Sequence, residues 1–155
     1  MNKKHFFLTK DGKKKLEEEL NKLINIEKPK IIENLSNARA QGDLKENADY
    51  DAAKKNFNEI DNRINEIKTI LMNSEVIVNL NNECVNIGSK VVVKLGNKKD
   101  NDTYMIVNTV EADPINNKIS NESPLGSALI GHKINDVVEV KIRENSYNVK
   151  IIDIK

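Results

Sequence analysis

From about Leu8 to Val78 the apolar residues recur at helical spacing. Tyr50, Ala53, Phe57, Ile60, Ile64, Ile67 and Leu71 follow one another at intervals of 3, 4, 3, 4, 3 and 4. That is an unbroken a/d seam, with Lys, Asn, Asp and Glu on the other faces. The preceding stretch answers it: Leu16, Leu20, Leu23 and Ile24 form one apolar run, and Ile31, Leu35 and Ala38 resume it after Glu27-Lys28-Pro29. Pro29 lacks an amide donor and is expected to kink or locally open this helix. Gln41-Gly42-Asp43 is the strong turn signal between the two stripes. Two seams joined by a short polar turn predict an antiparallel helical hairpin, each arm of ~30 residues reaching ~45 Å.

The period changes after a polar stretch at 79–83. Strand-like runs appear at 90–95, 104–107, 137–142 and 147–152, with a turn expected at Glu144-Asn145-Ser146. Ser123 to Gly131 suits a turn into a short helix ended by Gly131. The predicted fold class is therefore α+β. Residues 1–78 form a coiled-coil hairpin with its tip near 42–50, 79–83 form a linker, and 84–155 form an antiparallel β-sheet domain with one short helix.

Composition agrees with a thin rod joined to a small module. Of 155 residues, 38% are hydrophobic, 32% charged and 4% aromatic, against an ordinary apolar share of about 45–50%. A two-helix rod has one seam and is otherwise surface. Apolar stretches are too short for a membrane span, and the basic N-terminus lacks the apolar core of a secretory signal. The single Cys84 and two distant histidines build neither an internal disulfide nor a zinc site. A cytoplasmic protein that binds no metal stably by itself is expected. Net charge is +1, but its placement is uneven. Six lysines stand against Asp11 in residues 1–15, whereas 43–51 set Asp43, Glu46, Asp49 and Asp51 against Lys45.

Most constellations that carry chemistry are missing. His5 and His132 have no neighbouring nucleophile or carboxylate pattern, and the six glycines are scattered singly rather than gathered in a phosphate loop. Lys13-Lys14-Lys15 could attract phosphate, but a charge run at a helix start reads first as a solvated face. The tip is the sharp feature, and its residues carry two compatible readings. Gly42 suits a left-handed helix end, Asp43 a helix N-cap and Glu46 the third position of a capping box. Spacing alone favours this capping role, yet the same two carboxylates at the end of a rod can also present hard oxygen ligands to a Mg²⁺ site half built in a partner.

The run Ala38-Arg39-Ala40-Gln41-Gly42-Asp43-Leu44-Lys45-Glu46-Asn47-Ala48-Asp49-Tyr50-Asp51-Ala52-Ala53-Lys54 closely resembles the tip signature of the bacterial GreA/GreB transcript cleavage factors, in their GreA branch. Leu8-Thr9, Gly12, Lys15-Leu16 and Glu19-Leu20 resemble the family's opening. Glu111-Ala112-Asp113, Ile119-Ser120, Ser123-Pro124-Leu125-Gly126 and Leu129-Ile130-Gly131 look like its C-terminal signatures. The resemblance spans essentially the whole chain in order.

It implies a second domain of the FK506-binding-protein-like fold, and a rod that enters the secondary channel of backtracked RNA polymerase. Asp43 and Glu46 match the two tip acids, which help hold a Mg²⁺ shared with the polymerase. The factor then stimulates hydrolysis of extruded RNA by the polymerase and is not itself an enzyme. Arg39, Lys54 and Lys55 resemble the basic patch facing the RNA 3′ segment, with solvated helix faces as the plain alternative. Ser123, Pro124, Leu125 and Gly126 match the loop that docks on the polymerase β′ coiled coil; a loop shaped only for the fold is equally compatible. Tyr50 opens the seam and is expected to pack.

A monomer is expected, because the Gly42-Asp43 turn favours pairing within one chain. Asn108 stands where the family often has Gly, and the turn there is expected to persist because Asn tolerates left-handed geometry. Two other readings are a channel-binding paralogue that inhibits, against which the retained tip acids argue, and a prolyl isomerase or chaperone. The latter needs an aromatic-lined pocket, yet residues 79–155 contain only Tyr104 and Tyr147.

Overall fold

The computed structural model describes residues 4–42, 47–78 and 81–155. By contact the chain separates into one unit of residues 13–74 with the N-terminal residues, and a second of residues 6–12 and 75–155.

In the first unit, helices α1 (Lys10–Lys22) and α2 (Lys28–Ala40) supply one arm and α3 (Ala48–Met72) the other. Ala53, Ile64 and Ile67 of the expected seam are buried, together with Leu16, Ala38 and the neighbouring Ile70. Tyr50, Phe57, Ile60 and Leu71 are half-buried, as a single seam between two wet helices allows. Polar clasps flank the seam. Lys28 Nζ lies 2.7 Å from Asp61 Oδ1 and 5.4 Å from the centre of the Phe57 ring. Arg63 donates to both Glu19 oxygens, at 2.7 and 3.0 Å, and to Glu66 at 2.8 Å.

The expected irregularity before Pro29 takes a definite form. Leu23–Glu27 is a π-helical turn, and the Lys28 amide donates to the Leu23 carbonyl, five residues back. The reason is written in the seam. Leu16, Leu20 and Leu23 step by 4 and 3, but Ile31 follows Leu23 by eight residues rather than seven. One surplus residue would rotate Ile31, Leu35 and Ala38 off the seam; the wide turn absorbs it and keeps both stripes on one face. Pro29, the second residue of α2, follows directly on this wide turn, so its missing amide falls at the irregular segment rather than within regular helix.

The ends of the helical region differ from expectation. Phe6–Leu8 (β1) and Ser74–Val76 (β2) are strands of a two-stranded sheet rather than helix. Phe-Phe-Leu and Ser-Glu-Val alternate in burial with period two, a signal too short to compete with the long helical period beside it. Thr9 follows β1 and caps α1 by accepting the Gly12 amide at 3.0 Å. The Glu111 carboxylate in turn accepts from the Thr9 amide at 2.9 Å and hydroxyl at 2.6 Å.

The second unit is a five-stranded sheet of β3 (Lys90–Leu95), β4 (Asp102–Val107), β5 (Lys118–Ser120), β6 (Val137–Ile142) and β7 (Asn145–Ile154), in the order β5-β4-β3-β7-β6. Its core combines Val91, Val93, Ile106, Val138, Val140, Val149 and Ile151 with Leu129 of helix α4 (Pro124–Leu129). Three pairings are antiparallel, but β4 and β5 run parallel, which corrects the expected all-antiparallel sheet. The connection from β4 passes through two 3₁₀ turns, Thr109–Glu111 and Pro114–Asn116, before β5 joins the sheet edge in the same direction. Asn108 is extended rather than left-handed; its side chain caps the first of these turns from Val110 N at 3.4 Å. The β6–β7 reversal falls at Arg143-Glu144, one residue early, with Arg143 at φ 56° and β7 already begun at Asn145. Gly131, at φ 82°, ends the α4 segment as its sequence suggests.

Candidate functional site

The end of the hairpin is built by a few residues whose roles follow from their positions. Helix α2 ends with the Gln41 amide donating to Ala38 O at 3.3 Å, and Gly42 follows at φ 153°, a positive-φ conformation suited to glycine. Asp43 and Glu46, the two expected tip ligands, lie outside the described residues. The chain is described again at Asn47, which is the N-cap of α3: its Oδ1 accepts from the Tyr50 amide at 3.1 Å. The expected capping role of Asp43 is thereby corrected. Helix α3 starts at Ala48, four residues too late for an Asp43 cap, and Asn47 does the capping.

Asn47 also ties the arms together. Its Nδ2 donates to Ala38 O at 2.6 Å, so one side chain closes the end of α2 and opens α3. Gln41 and Asn47 are thus both hydrogen-bonded to the same carbonyl, Ala38 O. An Asn before a helical run is itself a capping signal; the Asp43/Glu46 spacing, which imitates a capping box, masked it. Asp49 and Asp51 occupy the first turn of α3, where negative charge is favourable to the helix dipole.

Arg39, in the last turn of α2, and Lys54 and Lys55, in the second turn of α3, are all exposed on the arms behind the tip. Lys55 lies 4.0 Å from Glu59 with both side chains well exposed, an ion pair worth little. Among the described residues Arg39 and Lys54 make no ion pair, which leaves their charge available.

Ser123 to Gly126 belong to the second unit and each has a definite local environment. Ser123 caps α4: its Oγ accepts from Gly126 N at 3.0 Å and donates to Ser120 O at 2.6 Å. Leu125 packs on the apolar core, and Gly126 is buried so tightly that an added Cβ would sit 2.1 Å from Ser120 O. Pro124, at the first position of the helix, is the exposed member. Thr109, Ser120 and Glu122 brace the loop, with Thr109 Oγ1 2.8 Å from Ser120 Oγ and donating to Glu122 at 3.1 Å.

Among the described residues no three His, Cys, Asp or Glu side chains gather as a metal-holding group, and no helix is long and apolar enough to cross a membrane.

A helical hairpin followed by a small sheet domain with a capped Ser-Pro loop defines an α+β protein. The family model described as the N-terminal domain of transcription elongation factors matches residues 6–76. The model for the C-terminal domain of GreA/GreB transcription elongation factors matches residues 80–155. The chain belongs to the GreA/GreB family of transcription elongation factors. It is 47% identical to transcription elongation factor GreA of Mycoplasma genitalium over 152 residues, covering 96% of this chain and 94% of that protein. It is 44% identical to GreA of Clostridium acetobutylicum over 154 residues, covering 98% of each. Among solved structures, GreA factor homolog 1 of Thermus thermophilus is similar at a TM-score of 0.47 and 23% identity, over 98% of this chain and 99% of that one.

Proposed function

We propose that this chain stimulates the cleavage of backtracked RNA by RNA polymerase, acting in the cytoplasm as a monomer that inserts its hairpin into the polymerase secondary channel. The observation that carries the reading is the run Gly42 to Tyr50, which puts Asp43 and Glu46 at the reversal of a thin helical rod. The Asn47 clasp supports it, because a ligand pair is useful only on a platform whose flanks are held.

Two carboxylates are hard oxygen donors that fit Mg²⁺, which accepts one or two protein carboxylates and takes its other ligands elsewhere. When held between tip and polymerase, such an ion supplies water activation and charge neutralisation at the leaving oxygen. Asp43 and Glu46 contribute the rod's share of its ligands. Arg39 and Lys54, both exposed and without an ion-pair partner among the described residues, attract the RNA phosphates. Ser123 to Gly126 present Pro124 to the β′ coiled coil at the channel mouth. The chain is thus an accessory factor that completes an active site belonging to its partner.

The test adds the protein and Mg²⁺ to stalled, backtracked polymerase complexes and follows the RNA 3′ end. The expected result is endonucleolytic shortening. Asp43→Asn or Glu46→Gln is expected to slow it by on the order of a hundredfold while polymerase binding persists. Full-rate cleavage in both variants would falsify the ligand assignment.

A further inference from the structure

Just behind the tip, a shallow groove of about 300 Å³ runs between the two arms of the hairpin. It is made by two stripes at helical spacing. Asn34, Asn37 and Gln41 recur at intervals of 3 and 4 along α2 and its cap, and Asp49, Ala53 and Asn56 line the facing side of α3. Asn47, bonded to Ala38 O and to the Tyr50 amide, fixes the two stripes against each other at the end nearest the tip.

The composition of this groove is unusual for a rod surface. Elsewhere on α1 and α3 the polar faces are largely Lys and Glu joined in ion pairs, such as Lys13–Glu17, Lys14–Glu18 and Lys55–Glu59. Here four carboxamides converge, and among the described residues none of them makes a side-chain hydrogen bond. Each carboxamide offers an acceptor beside two donors, the pattern that matches the edge of a nucleobase rather than a phosphate or a simple ion. Asp49 adds an acceptor that cannot donate when ionised. Ala53 is buried, so the floor is apolar and can lie against a flat ring.

From these features we infer that the groove receives one unstacked nucleobase of single-stranded RNA, and that it favours a base with an exocyclic amino group over uracil. Carboxamides pair with the N6 and N7 edge of adenine, and a carboxylate accepts from the amino group of cytosine. Uracil lacks an exocyclic amino group and offers Asp49 only its single ring N3–H, set between two carbonyl oxygens that the carboxylate repels. Single-stranded RNA is the form of nucleic acid whose base edges are open to such contacts. Arg39 and Lys54 stand beside the stripes and supply sequence-independent phosphate attraction. The identity of the RNA as the extruded 3′ segment rests on the function proposed above; the capacity of the groove to take a base does not.

Two measurements separate the two ideas. The isotope-labelled full chain is titrated with adenosine, cytidine and uridine monophosphates while the side-chain amide resonances of Asn34, Asn37, Gln41 and Asn56 are followed. Saturable shifts confined to these groups, about fivefold or more tighter for adenosine and cytidine than for uridine, are expected. They should vanish in Asn37→Ala/Gln41→Ala, a pair of exposed changes that raise helix propensity and leave the fold intact. Shifts that are absent, or equal for all three nucleotides, overturn the inference. In parallel, backtracked complexes ending in A, C or U are challenged with the wild type and the double variant. A base-dependent cleavage rate that the variant levels supports the groove, and equal rates for the three ends overturn its role in transcript selection. Amide shifts without any stimulated cleavage refute the proposed function and leave the base site standing.

Discussion

At the scale of single residues, the described part of the molecule is governed by short-range geometry that composition alone does not display. Gly126 is the clearest case. A Cβ there would lie 2.1 Å from Ser120 O and 2.9 Å from Ser123 Oγ, and that carbonyl already accepts from the Ser123 hydroxyl and amide. Backbone on one side and a capping bond on the other leave nothing to yield. Gly126→Ala should cost about 2–3 kcal/mol by overpacking. Gly96 offers the contrast: it has φ 50° and open space around its missing Cβ, so Gly96→Ala carries only backbone strain of about 1 kcal/mol. Urea unfolding of the two variants should therefore rank Gly126→Ala well below Gly96→Ala, and equal stabilities would show that the loop relaxes. The same geometry explains why a glycine ends the Ser-Pro-Leu-Gly sequence: it lets α4 start against β5 and holds Pro124 outward.

At the scale of elements, the π-helical turn at Leu23–Glu27 is a register device, and this can be tested by removing its cause. If one surplus residue forces the wide turn, deleting Ile26 while changing Pro29→Ala should restore a continuous α-helix with Leu23 and Ile31 seven apart. The seam is then kept, and the thermal midpoint should stay within a few degrees of wild type. Deleting Asn62 from α3 moves Ala53, Phe57 and Ile60 off the face of Ile64 and Ile67, so the hairpin should melt far lower. Equal losses in the two deletions would refute the register argument. The α3 seam was legible in the sequence because seven apolar positions agree on one period, and β3 and β6 were legible because each carries three valines and closes on an apolar residue, Leu95 or Ile142. β1, β2 and β5 were not, being three residues each, too short for any period to emerge. At the end of the hairpin the Asn47 clasp was not legible, since its partner Ala38 O is a backbone atom nine residues away. The carboxamide groove was hidden for a related reason: its two stripes become neighbours only when the arms pair.

At the scale of the whole molecule, a net charge of +1 conceals carboxylates held in charge-assisted contacts in both units, and their titration is expected to contribute to the loss of stability in acid. In the hairpin, the hydrogen bond from Lys28, reinforced by its charge, holds the Asp61 carboxyl below its ordinary range. In the second unit, Asp113 is lowered by the Asn116 side chain and Asp136 by the Lys133 amide. A carboxylate lowered by folding contributes stability that is fully present above its ordinary pKa, near 4, and is lost as pH falls through the lower folded value. Arg63 is shifted the opposite way, pushed up chiefly by its hydrogen bond with Glu19. Its contribution is complete below the ordinary arginine range, so it adds no alkaline limb at accessible pH. The expected profile is flat between pH 7 and pH 5 and falls toward pH 2, with both units affected because each holds a lowered carboxylate. Circular dichroism melts at pH 7, 5, 3 and 2 would check it, and a drop already complete by pH 5 would contradict it. Asp61→Asn should make the acid limb of the helical signal shallower, since the lost contact no longer titrates, and should leave that of the sheet domain unchanged. High salt at pH 7 is the complementary probe. These contacts are mostly exposed, so screening should lower the melting temperature only slightly, and the apolar seam and sheet core should carry most of what remains.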